Sequence, residues 1–237
     1  MESKKLDEES KALLRRIIES QAARQLAAID ILGHGLRYLT DIESKRWFAE
    51  ELVADVRIFR EVEALYAALG WTGIEQAVRE KRERVPFPGS RQEFGLCWYL
   101  LESAERAAMA TYVGSASGEF AAVARSYIAQ HSEGGRREEE RFAEYCADRT
   151  NLPHAQQMLD KWLRVTLLSL GRPGTLGDAR AVALGLRSRP VAEVIRDYLE
   201  SIDAYRRRCA LALPNAAALG IELPPPTATG ARRTRRS

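Results

Sequence analysis

Apolar positions recur along this chain at three- and four-residue spacings, and alternating β-branched runs bounded by turn residues are missing. Ala, Leu, Glu and Arg fill the long windows between breaks, so the pattern predicts helix throughout. A first helix is expected over Glu9–Thr40, with Gly33 and Gly35 of LGHGL loosening its later turns and Asp41 placed to cap the next one. The second spans Ile42–Leu69, where Phe48, Leu52, Phe59, Val62, Tyr66 and Leu69 keep the spacing of a packed seam, and Gly70 is its stop. A short helix near Ile74–Arg84 and the breaker segment VPFPGS make a long crossover to a third helix, Arg91–Tyr112, and a fourth, Gly118–Asp148. A long connection between the second and third helices defines the ferritin-like arrangement. The expected class is therefore all-α: a ferritin-like four-helix bundle with additional C-terminal helices, the latter read from HAQQMLDKWLRVTLLSL, Asp178–Arg187 and Val191–Leu213. The organisation follows as a flexible N-terminus (1–8), the bundle (9–150), C-terminal helices packed on it (151–223) and a disordered basic tail (224–237).

Charge changes this picture little. The formal net charge is +3, but Arg232, Arg233, Arg235 and Arg236 sit in the tail, and without them the chain carries −1. No basic stripe of the kind that binds nucleic acid remains on the folded part. The N-terminal MESKKLDEESK is charged and lacks an apolar h-region, and no run of about 18 apolar residues occurs, so neither a membrane nor export is expected and the location is read as cytoplasmic. Cys97, Cys146 and Cys209 are far apart, show no CxxC spacing and each falls within an apolar helical pattern, which suits reduced core thiols. No GxSxG elbow, Walker-type loop or Cys/His zinc spacing is present.

Polar residues on the apolar stripes are the informative ones, because a buried polar group needs a partner, a water or a metal. Gln25 lies among Ile18, Ala22, Ile29 and Leu32, Asp55 between Leu52 and Phe59, Glu102 with Trp98 and Met109, and His131 after Tyr127; Glu105 is one turn beyond Glu102. One polar residue per helix near mid-length is how di-iron carboxylate bundles build their site, with Glu on two helices and Glu-x-x-His on the other two. The ligands here depart from that set: the second helix reads Asp55-Val56-Arg57-Ile58 and the fourth His131-Ser132-Glu133-Gly134.

The segments LGHGLRYLTD, DVRIFREVEALYAALG, LLESAE, DKWLRVTLLSLGRPGT and ALGIELPPP, spanning about residues 20–225, resemble the phenylacetic acid catabolism family, the ferritin-like subunits of phenylacetyl-CoA monooxygenase. The resemblance implies two kinds of subunit: a catalytic one, with two irons acting on CoA thioesters, and a sister of the same fold that has lost its metal and serves structurally. It places Gln25 at the first-helix acid, Asp55 and Ile58 at the second-helix pair, Glu102 at the third-helix acid, and His131 and Gly134 at the last pair. Gln25, Ile58 and Gly134 thus occupy lost ligand positions, and Asp55, Glu102 and His131 are left as metal candidates.

The leading expectation is a metal-poor subunit without a cofactor, acting in a homo-oligomer or beside a homologous catalytic subunit, or holding an acyl-CoA-like ligand. The alternative is an iron-dependent monooxygenase with a single metal on Asp55, Glu102 and His131. A third reading is acid–base catalysis by Glu102, Glu105 or His131 in an apolar seam. Against these stand plain structural roles. Asp55 would pair with an arginine or amide, His131 would be a satisfied core histidine, and His34 and His154 would be structural or exposed. Glu133, Glu138, Glu139 and Glu140 would form a solvated face. Trp47, Trp98 and Tyr112 either line a pocket or fill the core.

Overall fold

Helix starts in this chain are set by short polar side chains that catch the free N–H groups of a first turn. Asp7 accepts from Ser10 N at 2.8 Å, Asp41 from Ser44 N at 2.7 Å, Ser90 from Glu93 N at 3.1 Å and Thr175 from Asp178 N at 3.2 Å. The computed structural model describes residues 7–130 and 135–225, and within them every regular element is helical. The elements are α1 (Glu8–Gly35), α2 (Ile42–Ala68), α3 (Ile74–Arg82), α4 (Arg91–Ala110), α5 (Gly118–Gln130), α6 (Gly135–Ala147), α7 (Leu152–Ser169), α8 (Leu176–Ala183) and α9 (Val191–Arg208). The all-α expectation holds. The expected fourth helix corresponds to α5 and α6, and residues 131–134 between them lie outside the described residues.

Helix ends explain where the boundaries differ from expectation. After α2, Gly70 takes φ 79° and closes a Schellman turn, with Trp71 N on Tyr66 O at 3.1 Å and Gly70 N on Ala67 O at 2.9 Å. Gly185, at φ 69°, does the same for α8 and stops it short of the expected Arg187. The helix expected to reach Leu213 ends at Arg208 because Ala210 adopts φ 55° in an equivalent turn, Leu211 N meeting Arg206 O at 3.0 Å. A left-handed alanine costs about 1–2 kcal/mol, so the sequence carries no local signal for it.

Four helices close a ring of contacts: α1 on α2, α2 on α5, α5 on α4 and α4 on α1. Phe48, in the second turn of α2, lies 4.5 Å ring to ring from Phe94, in the first turn of α4. Both helices therefore start at one end, and the α3 crossover has carried the chain back along the full length of α2. That crossover is pinned to the end of α1: Tyr38 donates to Pro88 O at 2.9 Å, and the His34 ring stacks 4.6 Å from Phe87. Gly35 has no side chain because a Cβ there would strike the Phe94 ring.

Helices α6, α7 and α9 pack on α4, while α3 and α8 pack on α1. One anchor is Glu93, which takes Lys161 Nζ at 2.5 Å, Trp162 Nε1 at 2.8 Å and Gly89 N at 2.7 Å. Another is the Tyr198 hydroxyl, which donates to Leu100 O at 3.0 Å. Two apolar clusters fill the interior. One contains Leu14, Ile18, Phe59, Val62, Phe120 and Tyr127 and belongs to the ring. The other contains Phe48, Phe94, Trp98, Trp162, Tyr198 and Tyr205 and extends into α7 and α9.

Candidate functional site

Along α1 the first cluster ends at Leu26 and the second begins at Ala28; along α2 the change falls between Phe48 and Ile58. Gln25 and Asp55 sit at that changeover, both buried. Gln25 Nε2 donates to Asp55 Oδ1 at 2.7 Å. Asp55 thus has an amide partner, one of the two roles expected of it. One turn earlier on α1, Gln21 Nε2 donates to Glu105 Oε1 on α4 in a second buried amide–carboxylate bond. Arg24 holds Gln21 from behind, donating to its Oε1 at 2.5 Å and to Ser169 O at 3.0 Å. Glu102, on the same helix as Glu105, accepts from Arg106 at 3.0 Å. Gln21 was not singled out from the sequence, although its four-residue spacing from Gln25 places both on one face.

Tyr127 of α5 completes this layer. Burial pushes its hydroxyl well above the ordinary value, and the charges of Glu105, Asp55 and Glu102 push the same way against Arg106. A phenol so placed stays protonated and can donate but not act as a base. The ring therefore brings together Asp55, Glu102 and Glu105, each nearly buried, with two carboxamides, one guanidinium and one phenol.

His131, Glu133 and Gly134, among them the third member of the Asp55, Glu102 and His131 set, lie outside the described residues. Among the described residues no three His, Cys, Asp or Glu side chains are grouped so as to hold a metal ion. Two of the residues that the resemblance places at ligand positions carry neither a carboxylate nor an imidazole. Gln25 presents a neutral carboxamide that spends its N–H on Asp55, and Ile58 is fully buried in the apolar cluster.

The charged run on α6 corrects one expectation. Glu138 is 1% exposed, not solvated. Arg91 grips it with a two-bond fork at 2.6 and 2.8 Å, in space left by Gly95, where a Cβ would collide with the Glu138 carboxylate. Glu139 is half-buried and meets Arg208 at 3.0 Å, while Glu140 is exposed. Trp98 and Tyr112 are core side chains, and Trp47 packs partly buried against Phe48 at 4.4 Å. His34 is structural and His154 exposed.

A separate cleft of about 440 Å³ lies between α1, α3 and the crossover, lined by Asp30, Ile31, Arg79, Arg82, Val85 and Phe87 among others. It shares no residue with the polar layer. Arg82 is already committed to Asp30 through bonds of 2.5 and 2.8 Å. Among the described residues no helix is long and apolar enough to cross a membrane. No protein-family model matches the chain, and neither does any curated protein.

Proposed function

We propose that this chain is a ferritin-like bundle of the phenylacetic acid catabolism type whose metal seam has become an amide–carboxylate network, and that it works as a structural partner subunit. The observation that carries this reading is the buried Gln25–Asp55 bond of 2.7 Å. An acid at residue 25 would offer a second ligand oxygen beside Asp55; a carboxamide instead gives Asp55 Oδ1 a hydrogen bond and adds no charge. Gln21 repeats the device on Glu105. A helix that supplies two carboxamides to two acids cross-links the bundle without any ion, as a subunit kept for its surface rather than its chemistry requires. Further support comes from the ring of four helices, the return of the chain through α3 and the resemblance of five segments to that family. The partner is a second copy of the chain or a homologous catalytic subunit. The α1–α3 cleft is where a small acyl-CoA-like ligand would be sought.

The test is elemental analysis of protein purified from iron-supplemented culture, set beside Asp55→Ala and paired with melting curves in excess ferrous iron or zinc. The expected outcome is a metal-to-chain ratio near zero and no metal-dependent rise in melting temperature. A ratio near one that collapses in Asp55→Ala would replace this reading with a single-metal monooxygenase, with Glu102 and His131 as the next ligands to test.

A further inference from the structure

The cleft between α1, α3 and the crossover has a buried apolar floor and a charged, exposed rim. Ala27 and Ile31 of α1 form the floor, Ile31 only 1% exposed, and Val85 and Phe87 of the crossover stand beside them. His34 covers one face of the Phe87 ring at 4.6 Å, yet Phe87 keeps 49% of its surface open. Burying that aromatic surface is favourable, so the cleft attracts an apolar group. Its volume, about 440 Å³, falls within the range of small-ligand sites.

The polar groups on the rim decide what else that ligand carries. Asp30 and Arg82 neutralise each other through bonds of 2.5 and 2.8 Å. Arg79 and Glu83 are different. Both are exposed, and among the described residues neither side chain has a hydrogen bond or ion pair; the charge of Arg82 reaches Glu83 only through space. They lie one turn apart on α3 in the order cation then anion, the weaker orientation for a pair along a helix. Each charge is therefore free for a ligand. Glu83 caps the C-terminus of α3, where the helix dipole adds to its attraction for a cation. An ammonium is favoured at Glu83 and a carboxylate one turn earlier at Arg79, with an apolar group on Ile31, Val85 and Phe87.

We infer that this cleft binds a free α-amino acid with an apolar side chain. Its carboxylate pairs with Arg79, its ammonium pairs with Glu83, and its side chain covers the floor and Phe87. A free amino acid carries both charges on one carbon, whereas an amine or an acylated amino acid brings only one of them. A CoA thioester brings phosphates and no ammonium for Glu83, so it suits the rim less well. The assignment is independent of whether the chain is a structural partner subunit.

Equilibrium dialysis of the full chain against radiolabelled L-phenylalanine tests it. One molecule should bind per chain at saturation, and Arg79→Ala and Glu83→Ala should each weaken binding about tenfold, as the loss of a charged hydrogen bond does. Both positions are exposed, so the variants should keep the melting temperature of the parent chain, which separates lost binding from lost folding. Unlabelled L-leucine should compete, while phenethylamine, N-acetyl-L-phenylalanine and glycine should each compete far less. No bound L-phenylalanine at millimolar concentration would overturn the assignment. So would an affinity unchanged in both variants, competition by phenethylamine or N-acetyl-L-phenylalanine equal to that of L-leucine, or stronger competition by acetyl-CoA than by L-leucine.

Discussion

Asp55 and Glu138 are equally buried, each 1% exposed, yet the chain meets them in opposite ways. Glu138 receives a guanidinium fork from Arg91 that occupies both carboxylate oxygens and cancels the charge. Asp55 receives a carboxamide from Gln25, which donates one hydrogen bond and brings no charge. The first solution belongs to a joint between α4 and α6, where a buried acid serves only if its charge is neutralised. The second lies inside the four-helix ring with Glu102, Glu105 and Tyr127 beside it. The contrast separates an acid joined to a cation where two helices meet from an acid met by a carboxamide inside the ring.

Removing the cation from the peripheral joint should have the largest effect. Arg91→Ala strands a buried carboxylate and is expected to cost about 3–5 kcal/mol in denaturant unfolding. A loss below 1 kcal/mol would mean that Glu138 does not need its fork. Inside the ring, Gln25→Glu turns the amide–carboxylate bond into a carboxylate pair and should cost about 2–3 kcal/mol at neutral pH. One of the two acids then holds a proton, so the loss should shrink as pH falls. A variant unaffected by pH would show that residues 25 and 55 do not face each other.

Glu93 is intermediate, with an ammonium, an indole N–H and a backbone N–H as partners. Burial alone would raise its pKa, but Lys161, Gly89 N–H and Trp162 outweigh burial and lower it from 4.5. A lowered carboxyl contributes stability that is present above its ordinary value and lost as pH falls through the folded one. Melting temperature should therefore drop below about pH 4.5, and Glu93→Gln, costing about 1–2 kcal/mol at neutral pH, should flatten that part of the curve.

Local features of this fold were readable from the sequence because their causes are local. Asp41 caps its own helix, Gly70 ends its own helix, and the prolines of VPFPGS interrupt the crossover. Asp55 and Glu102 were readable as buried acids because helical periodicity shows which face a residue shares. What escaped depended on contacts between distant segments. The run containing Glu138, Glu139 and Glu140 looks solvated until Arg91, 47 residues away, is brought beside it. Gln21 looks like any polar residue until Glu105 arrives from α4. Ala210 takes a backbone conformation for which only glycine or asparagine would have given a signal.

The central claim is that α1 closes the acid layer with carboxamides, and a double-mutant cycle on Gln25→Ala and Asp55→Ala measures that bond directly. Unfolding free energies of the two single variants and the double variant should reveal a coupling of about 1–2 kcal/mol, with the double variant losing less than the sum of the singles. A coupling indistinguishable from zero would contradict the account, because Asp55 would then be held by something other than Gln25 of α1.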